Sequence, residues 1–190
     1  TGTSYNNLGF AWSNKGEYDK AIAYYEKSLT IRIKVHGDQH PSAGTSYNNL
    51  GLAWSDKGEY DKAIEYHEKS LAINLKVHGD QHPQTGVSFN NLGVVWREKG
   101  DNYKAIEYLK KSLAIRLMIF GEHHPETGAT YNNLGLAFGD EGDYDKSLEY
   151  SEKSLAIDLI IHGDQHPSTG ISYHNLGLAW NAKGDIKNAI

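Results

Sequence analysis

At 190 residues, with 38% hydrophobic and 11% aromatic residues, the chain has the length of one or two domains and is too apolar to be disordered. Its formal net charge of -5 argues against a nucleic-acid-binding surface, which needs a cationic excess to displace counterions from phosphates. The lack of cysteine excludes disulfide staples and thiolate metal sites, and no apolar run approaches the length of a membrane span.

Read from the N-terminus, the segment around Tyr5, TSYNNLGFAWSNKGEYDKAIAYYEKSL, returns from Thr45 as TSYNNLGLAWSDKGEYDKAIEYHEKSL, and again around Phe89, Tyr131 and Tyr173. The step is 42 residues each time. This divides the chain into copies at 2–43, 44–85, 86–127 and 128–169 and a partial copy at 170–190, forming a single array. The first two copies differ at only nine of 42 positions, so curvature and groove chemistry are expected to repeat along the array.

Each copy reads as two helices. In the second copy Tyr47, Leu50, Gly51 and Trp54 fall at i, i+3, i+4 and i+7, one face of a first helix. Gly51 lets another helix approach closely. The turn is expected at Gly58, and a second helix from about Asp61 to Val77, with Ala63, Ile64, Leu71, Ile73 and Leu75 as its apolar positions. Gly79 should end it, His82 should mark a boundary because it precedes a proline, and Pro83 suits the first turn of the next helix. A hairpin of this kind has an apolar side that only the next hairpin can cover, so stacking is built into the pattern. The copies vary locally. Asn102 stands where a Tyr is expected in the third, Ser147 replaces the small Ala in the fourth, and Ser151 replaces an aromatic. The tyrosines of the second helices, Tyr24, Tyr25, Tyr66, Tyr108 and Tyr150, are expected to pack over the outer layer.

The order Tyr47, Leu50-Gly51, Trp54, Gly58, Tyr60, Ala63 resembles the tetratricopeptide repeat motif. The usual motif has about 34 residues. The extra length here lies in a longer second helix and the HGDQHP link, adding about 12 Å of helix. With YNNLG and the G-D-x-H-P link, the chain resembles the kinesin light chain-like subclass over nearly its whole length. The resemblance implies an all-α fold, a right-handed α-solenoid of antiparallel helix pairs whose first helices line a concave groove. It also implies a protein–protein interaction scaffold rather than an enzyme, holding peptide segments of a protein partner.

Tandem asparagines recur on the first helices as Asn6/Asn7, Asn48/Asn49, Asn90/Asn91 and Asn132/Asn133, with His174/Asn175 in the last copy. An amide both donates and accepts, so a ladder of amides suits the backbone of an extended peptide. By resemblance the second of each pair, Asn7, Asn49, Asn91, Asn133 and Asn175, faces the ligand. The same amides could instead bond neighbouring helices and hold the stack in register. The residue after NNLG is apolar in every copy (Phe10, Leu52, Val94, Leu136, Leu178) and reads either as a groove floor or as inter-repeat core. Arg97 is the groove-side arginine, suited to an acidic side chain or to a neighbouring carboxylate. Asp56, Glu98 and Asp140, near the ends of the first helices, favour a ligand with basic character or are simply solvated.

Three histidine pairs, His36/His40, His78/His82 and His162/His166, have the H-x-x-x-H spacing that binds zinc on a helix. An intervening glycine and the coming proline interrupt that helix, and the third copy breaks the pair with Phe120, His123 and His124. The histidines therefore read as caps and packing of the link, and no metal or other cofactor is expected. Carboxylates recur with the repeat, whereas a catalytic centre is a single asymmetric constellation, so no catalytic residue is assigned. A second functional class is a structural or self-assembling module, since neither end carries an obvious polar cap and the ends could stack head to tail. A sensor array within a larger signalling protein is a further form of the same reading. The start at Thr1 rather than Met reads as a piece of a longer polypeptide, and the lack of cysteine fits a cytoplasmic location.

Overall fold

The computed structural model describes residues 1–184. Among these the chain forms nine α-helices and no strand: α1 (Gly2–Ser13), α2 (Tyr18–His36), α3 (Pro41–Asp56), α4 (Tyr60–His78), α5 (Pro83–Glu98), α6 (Asn102–Phe120), α7 (Pro125–Glu141), α8 (Tyr144–His162) and α9 (Pro167–Lys183). The helix expected at Asp61–Val77 extends one residue further at each end. The second helix of the partial fifth copy lies outside the described residues.

Local chemistry sets these boundaries. Pro41, Pro83, Pro125 and Pro167 open their helices, where a missing N–H leaves no bond unmade. Gly79 closes α4 with φ at 87°, on the left-handed side that a Cβ makes costly. Gly58 makes the turn inside the hairpin with φ at 83°.

Residues 1–99 form one compact unit holding α1 to α5. Its hairpins are antiparallel: Gly2 at the start of α1 lies beside Ile31 near the end of α2, and Gly9 lies beside Tyr25. A Cβ on Gly9 would stand 2.6 Å from the Tyr25 ring, and one on Gly51 would stand 2.6 Å from the His67 ring. Only glycine permits that approach. Tyr25 then reaches past its own hairpin and packs with Ala21 and Ile22 of α2 and Leu50 and Ala53 of α3, with Trp12, Trp54 and Tyr66 around them. One hairpin's apolar side is thus covered by the next. Leu50 and Leu92 are fully buried in this way, each contributing about 1.5–3 kcal/mol by area, whereas Leu8 in the same register of α1 is 43% exposed.

Tyr25 corrects one expectation. It is not part of an outer layer but is buried between its own hairpin and α3. Tyr24 and Tyr66 are half-buried and stack on Tyr5 and Tyr47, with ring centroids 6.1 Å apart in both pairs.

Residues 100–190 form the second unit, whose described part holds α6 to α9. The α7/α8 hairpin repeats the same packing, with Gly128 against Ile157 and Gly135 against Ser151. Phe138 stacks on Tyr150 at 5.5 Å, and Leu134 and Ala137 are fully buried. Arg116 of α6 is buried and fully engaged. It donates to the Glu126 carbonyl and to Thr130 Oγ1, and it pairs with the Glu126 carboxylate at 2.8 Å. Burial pushes its guanidinium pKa down and Glu126 opposes that shift.

The first-helix face as candidate binding site

Within the first unit, α1, α3 and α5 lie side by side, and their tandem asparagines bond one another. Asn49 Nδ2 donates to Asn6 Oδ1 at 2.8 Å, and Asn91 Nδ2 donates to Asn48 Oδ1 at 2.8 Å. In the second unit Asn175 Nδ2 donates to Asn132 Oδ1 at 2.7 Å. The second asparagine of a copy therefore reaches back to the first asparagine of the copy before it. Adjacent residues lie about 100° apart on a helix, so one amide of each pair turns to each neighbour. The stacking role is present in the structure. It does not exhaust the amides, since each has two donors and two acceptor sites and the ladder bond uses one. Asn7 is exposed, and Asn90 and Asn133 are half-buried and engaged.

The apolar residue after NNLG is fully buried in no copy. Phe10 is 61% exposed, Leu52 44% and Leu178 50%, while Val94 and Leu136 are half-buried. In the second unit Leu136 and Leu178 border the same cavity as the ladder amide Asn175. Arg97 is half-buried and is not a free cation.

The acidic residues at the helix ends join the same pattern. Ser13 Oγ donates to Asp56 at 3.5 Å, and Ser55 Oγ donates to Glu98 at 2.5 Å, one rung further on. Burial raises the Asp56 pKa, the Glu98 charge raises it further, and the Ser13 bond opposes the shift. A cation at this end of the layer would relieve that repulsion. The outer bridges Lys57–Asp19, Lys99–Asp61 and Lys183–Asp145 also join a first helix to the second helix of the preceding copy. They are exposed and contribute little.

The histidines act as caps. Nδ1 of His40, His82, His124 and His166 accepts from the backbone N–H two residues on, at 3.1–3.2 Å. Each capping ring stacks on the last aromatic of the preceding helix: His36, His78, Phe120 and His162, with centroids 4.2–4.6 Å apart. Phe120 decides what the first ring of each pair does, because a phenyl group with no ligating atom takes the same place. Among the described residues no group of three potential ligands is placed to hold a metal, and no helix is long and apolar enough to cross a membrane.

The register at which Ser151 replaces an aromatic proves to be interior, facing the hairpin glycine. The residue facing the hairpin glycine is Tyr25, His67 and Ser151 in the first, second and fourth copies. The signal was available as variation at one register in otherwise uniform copies. His67 is 1% exposed, its Nδ1 is buried without a hydrogen-bond partner, and burial holds its pKa down at about 4.

The tetratricopeptide repeat family matches the chain at residues 55–116, 89–159 and 139–190 with one repeat profile and at residues 1–42 with another. Among curated proteins no sequence matches significantly. Among solved structures the chain is similar to a kinesin light chain-like protein of Podosopora anserina with nearly identical TPR-like repeats. That match has a TM-score of 0.85 and 27% identity, and covers 98% of this chain and 88% of the other. It is also similar to BtubC (BKLC) from P. vanneervenii, with a TM-score of 0.83, 25% identity, and coverage of 96% and 72%. MamA from Desulfovibrio magneticus RS-1 shares the fold, with a TM-score of 0.69, 19% identity, and coverage of 99% and 88%. The chain belongs to the tetratricopeptide repeat family, and its repeats are of the kinesin light chain-like kind.

Proposed function

We propose that the chain is an interaction scaffold that holds an extended peptide segment of a partner protein on its first-helix face. The observation that carries this reading is the exposure of Phe10, Leu52 and Leu178 on the helices that carry the amide rungs. Apolar side chains repeated on an otherwise polar face are costly to leave in water and serve to receive apolar groups. The amides of the first helices have hydrogen-bonding capacity beyond the ladder, so Asn7, Asn49, Asn91, Asn133 and Asn175 can meet a peptide backbone without reading its side chains. Helices held by ladder and core lose little entropy on binding, which favours affinity by preorganisation. The Asp56/Glu98 end selects a ligand with basic character. Tetratricopeptide repeats generally serve as scaffolds, and the present chain fits that use.

A peptide array probed with the purified chain tests the proposal, followed by calorimetry on hits with Leu52→Ser and Val94→Ser variants. Neither position is fully buried, so the variants keep the wild-type melting profile. Loss of binding in both supports the first-helix face as the site. Undiminished binding in both places the interaction elsewhere.

A further inference from the structure

One register near the ends of the second helices changes its chemistry from copy to copy: Arg32, Asn74, Arg116 and Asp158, 42 residues apart. In the first three copies this side chain is a donor, and its acceptor is the same backbone carbonyl of the following first helix. Arg32 donates to the Ser42 carbonyl at 2.8 Å, Asn74 to the Gln84 carbonyl at 3.4 Å, and Arg116 to the Glu126 carbonyl at 2.5 Å. A hydroxyl one turn further on is also served. Ser88 Oγ accepts from Asn74, and Thr130 Oγ1 accepts from Arg116. Each donor thereby ties one hairpin to the next.

The fourth copy reverses this polarity. An ionised carboxylate only accepts, so Asp158 leaves the Ser168 carbonyl, the fourth of the series, without the side-chain donor that its counterparts have. Ser172, at the register of Ser88 and Thr130, turns from acceptor to donor and gives its hydroxyl proton to Asp158 at 2.5 Å. Ser168 stands where Glu126 stood, so both members of the Arg116–Glu126 pair are replaced. Asp158 is half-buried and has no ion-pair partner among the described residues. It lines a cavity of about 270 Å³ together with Ser168, Ser172, Asn132 and His162, with Ile171 as an apolar wall. Acceptors thus face a space at the register where the other copies place a donor.

We propose that this cavity binds a small alkylguanidinium compound, whose planar head supplies from solution the donors that Arg116 supplies from within the chain one copy earlier. A guanidinium carries five N–H donors in a fixed fork together with a charge, so it bonds the Asp158 carboxylate and the Ser168 carbonyl at once, and N–H bonds to an ionised acceptor are the stronger kind. Arg116 shows such a head seated at this register, bonded to a carbonyl, a hydroxyl and a carboxylate together. Ile171, 60% exposed, offers an apolar surface to the alkyl arm. A metal ion fits the site poorly, since among the described residues no three potential ligands converge. The proposal does not depend on the peptide-scaffold reading: it assigns a ligand of another class to a carboxylate that reading does not use.

Ethylguanidinium is the probe, and ethylurea is its neutral isostere. Followed by amide NMR shifts, ethylguanidinium should bind the wild-type chain saturably at millimolar concentration, with shifts confined to α7–α9. Ethylurea should bind about tenfold more weakly or worse. Asp158→Asn removes the charge and keeps the shape, so it should weaken ethylguanidinium about tenfold or more and erase its advantage over ethylurea. Asp158→Arg restores the side chain of the first and third copies, and should abolish saturable binding and raise the melting temperature. If the arginine variant fails to fold, the asparagine variant carries the test. N-acetylarginine amide presents the same head between peptide bonds and should bind no more tightly than ethylguanidinium. Tighter binding of that compound overturns the assignment to a small ligand. Absence of saturable ethylguanidinium binding to wild type, equal affinity for wild type and Asp158→Asn, or equal affinity of the two probes for wild type overturns the site itself.

Discussion

His67 makes the stability of the first unit depend on pH. It is 1% exposed, and burial lowers its pKa from 6.5 to about 4. The folded state disfavours the charged imidazole, so the unfolded chain binds the proton more readily. Stability is therefore fully present above the unfolded pKa near 6.5 and is lost as pH falls toward about 4. Each pH unit in that window costs about 1.4 kcal/mol. Between pH 7 and pH 5 the loss is about 2 kcal/mol, and it reaches about 3 kcal/mol once the folded state also takes up the proton. The perturbation that isolates this effect is His67→Leu, the residue found at the same register as Leu109, which is fully buried. The variant also removes a buried Nδ1 that has no hydrogen-bond partner, so it should be more stable at pH 7 by about 1 kcal/mol. Urea unfolding followed by circular dichroism at pH 7 and pH 5 measures both quantities. The other histidines are common to the two proteins and cancel in the difference. Wild type should lose about 2 kcal/mol more than the variant over this interval. Parallel pH profiles would refute the assignment of a buried neutral imidazole.

The close helix approach predicts opposite outcomes for two glycines. Gly51→Ala places a methyl 2.6 Å from the His67 ring and should cost about 1–3 kcal/mol in thermal unfolding, whereas Gly170→Ala in α9 meets nothing within 4 Å and should stabilise by up to about 1 kcal/mol. The amide ladder predicts a coupling of about 0.5–1.5 kcal/mol between Asn6→Ala and Asn49→Ala in a double-mutant cycle, and strict additivity would show that the bond contributes nothing. At the link, His82→Ala should cost about 0.5–2 kcal/mol through loss of the cap, while His78→Phe, which copies Phe120, should stay within about 0.5 kcal/mol of wild type. A large loss in His78→Phe would mean that this imidazole does more than stack.

Much of the architecture was legible because it rests on chemistry local to the chain. A proline after the link histidine, a glycine at each stop and an apolar face at helical spacing determine helix type and boundary within a few residues, and the constant 42-residue step determines that one hairpin must cover the next. The link histidines were readable as caps because the pre-proline position is a helix boundary in any context. Tertiary structure alone decided where individual side chains of those helices go. Asn48 and Asn49 are adjacent in the chain, and only the neighbouring helix on each side determines that one accepts from Asn91 and the other donates to Asn6. Leu50 and Leu52 are both apolar residues of one helix. The first is sealed against the preceding hairpin and the second is left exposed, because a rotation of about 200° between them places only one toward the core. Ser151 reads in sequence only as the replacement of an aromatic. It becomes a recess only because α7 and α9 hold their places around the missing ring, and packed helices do not collapse to fill so small a void.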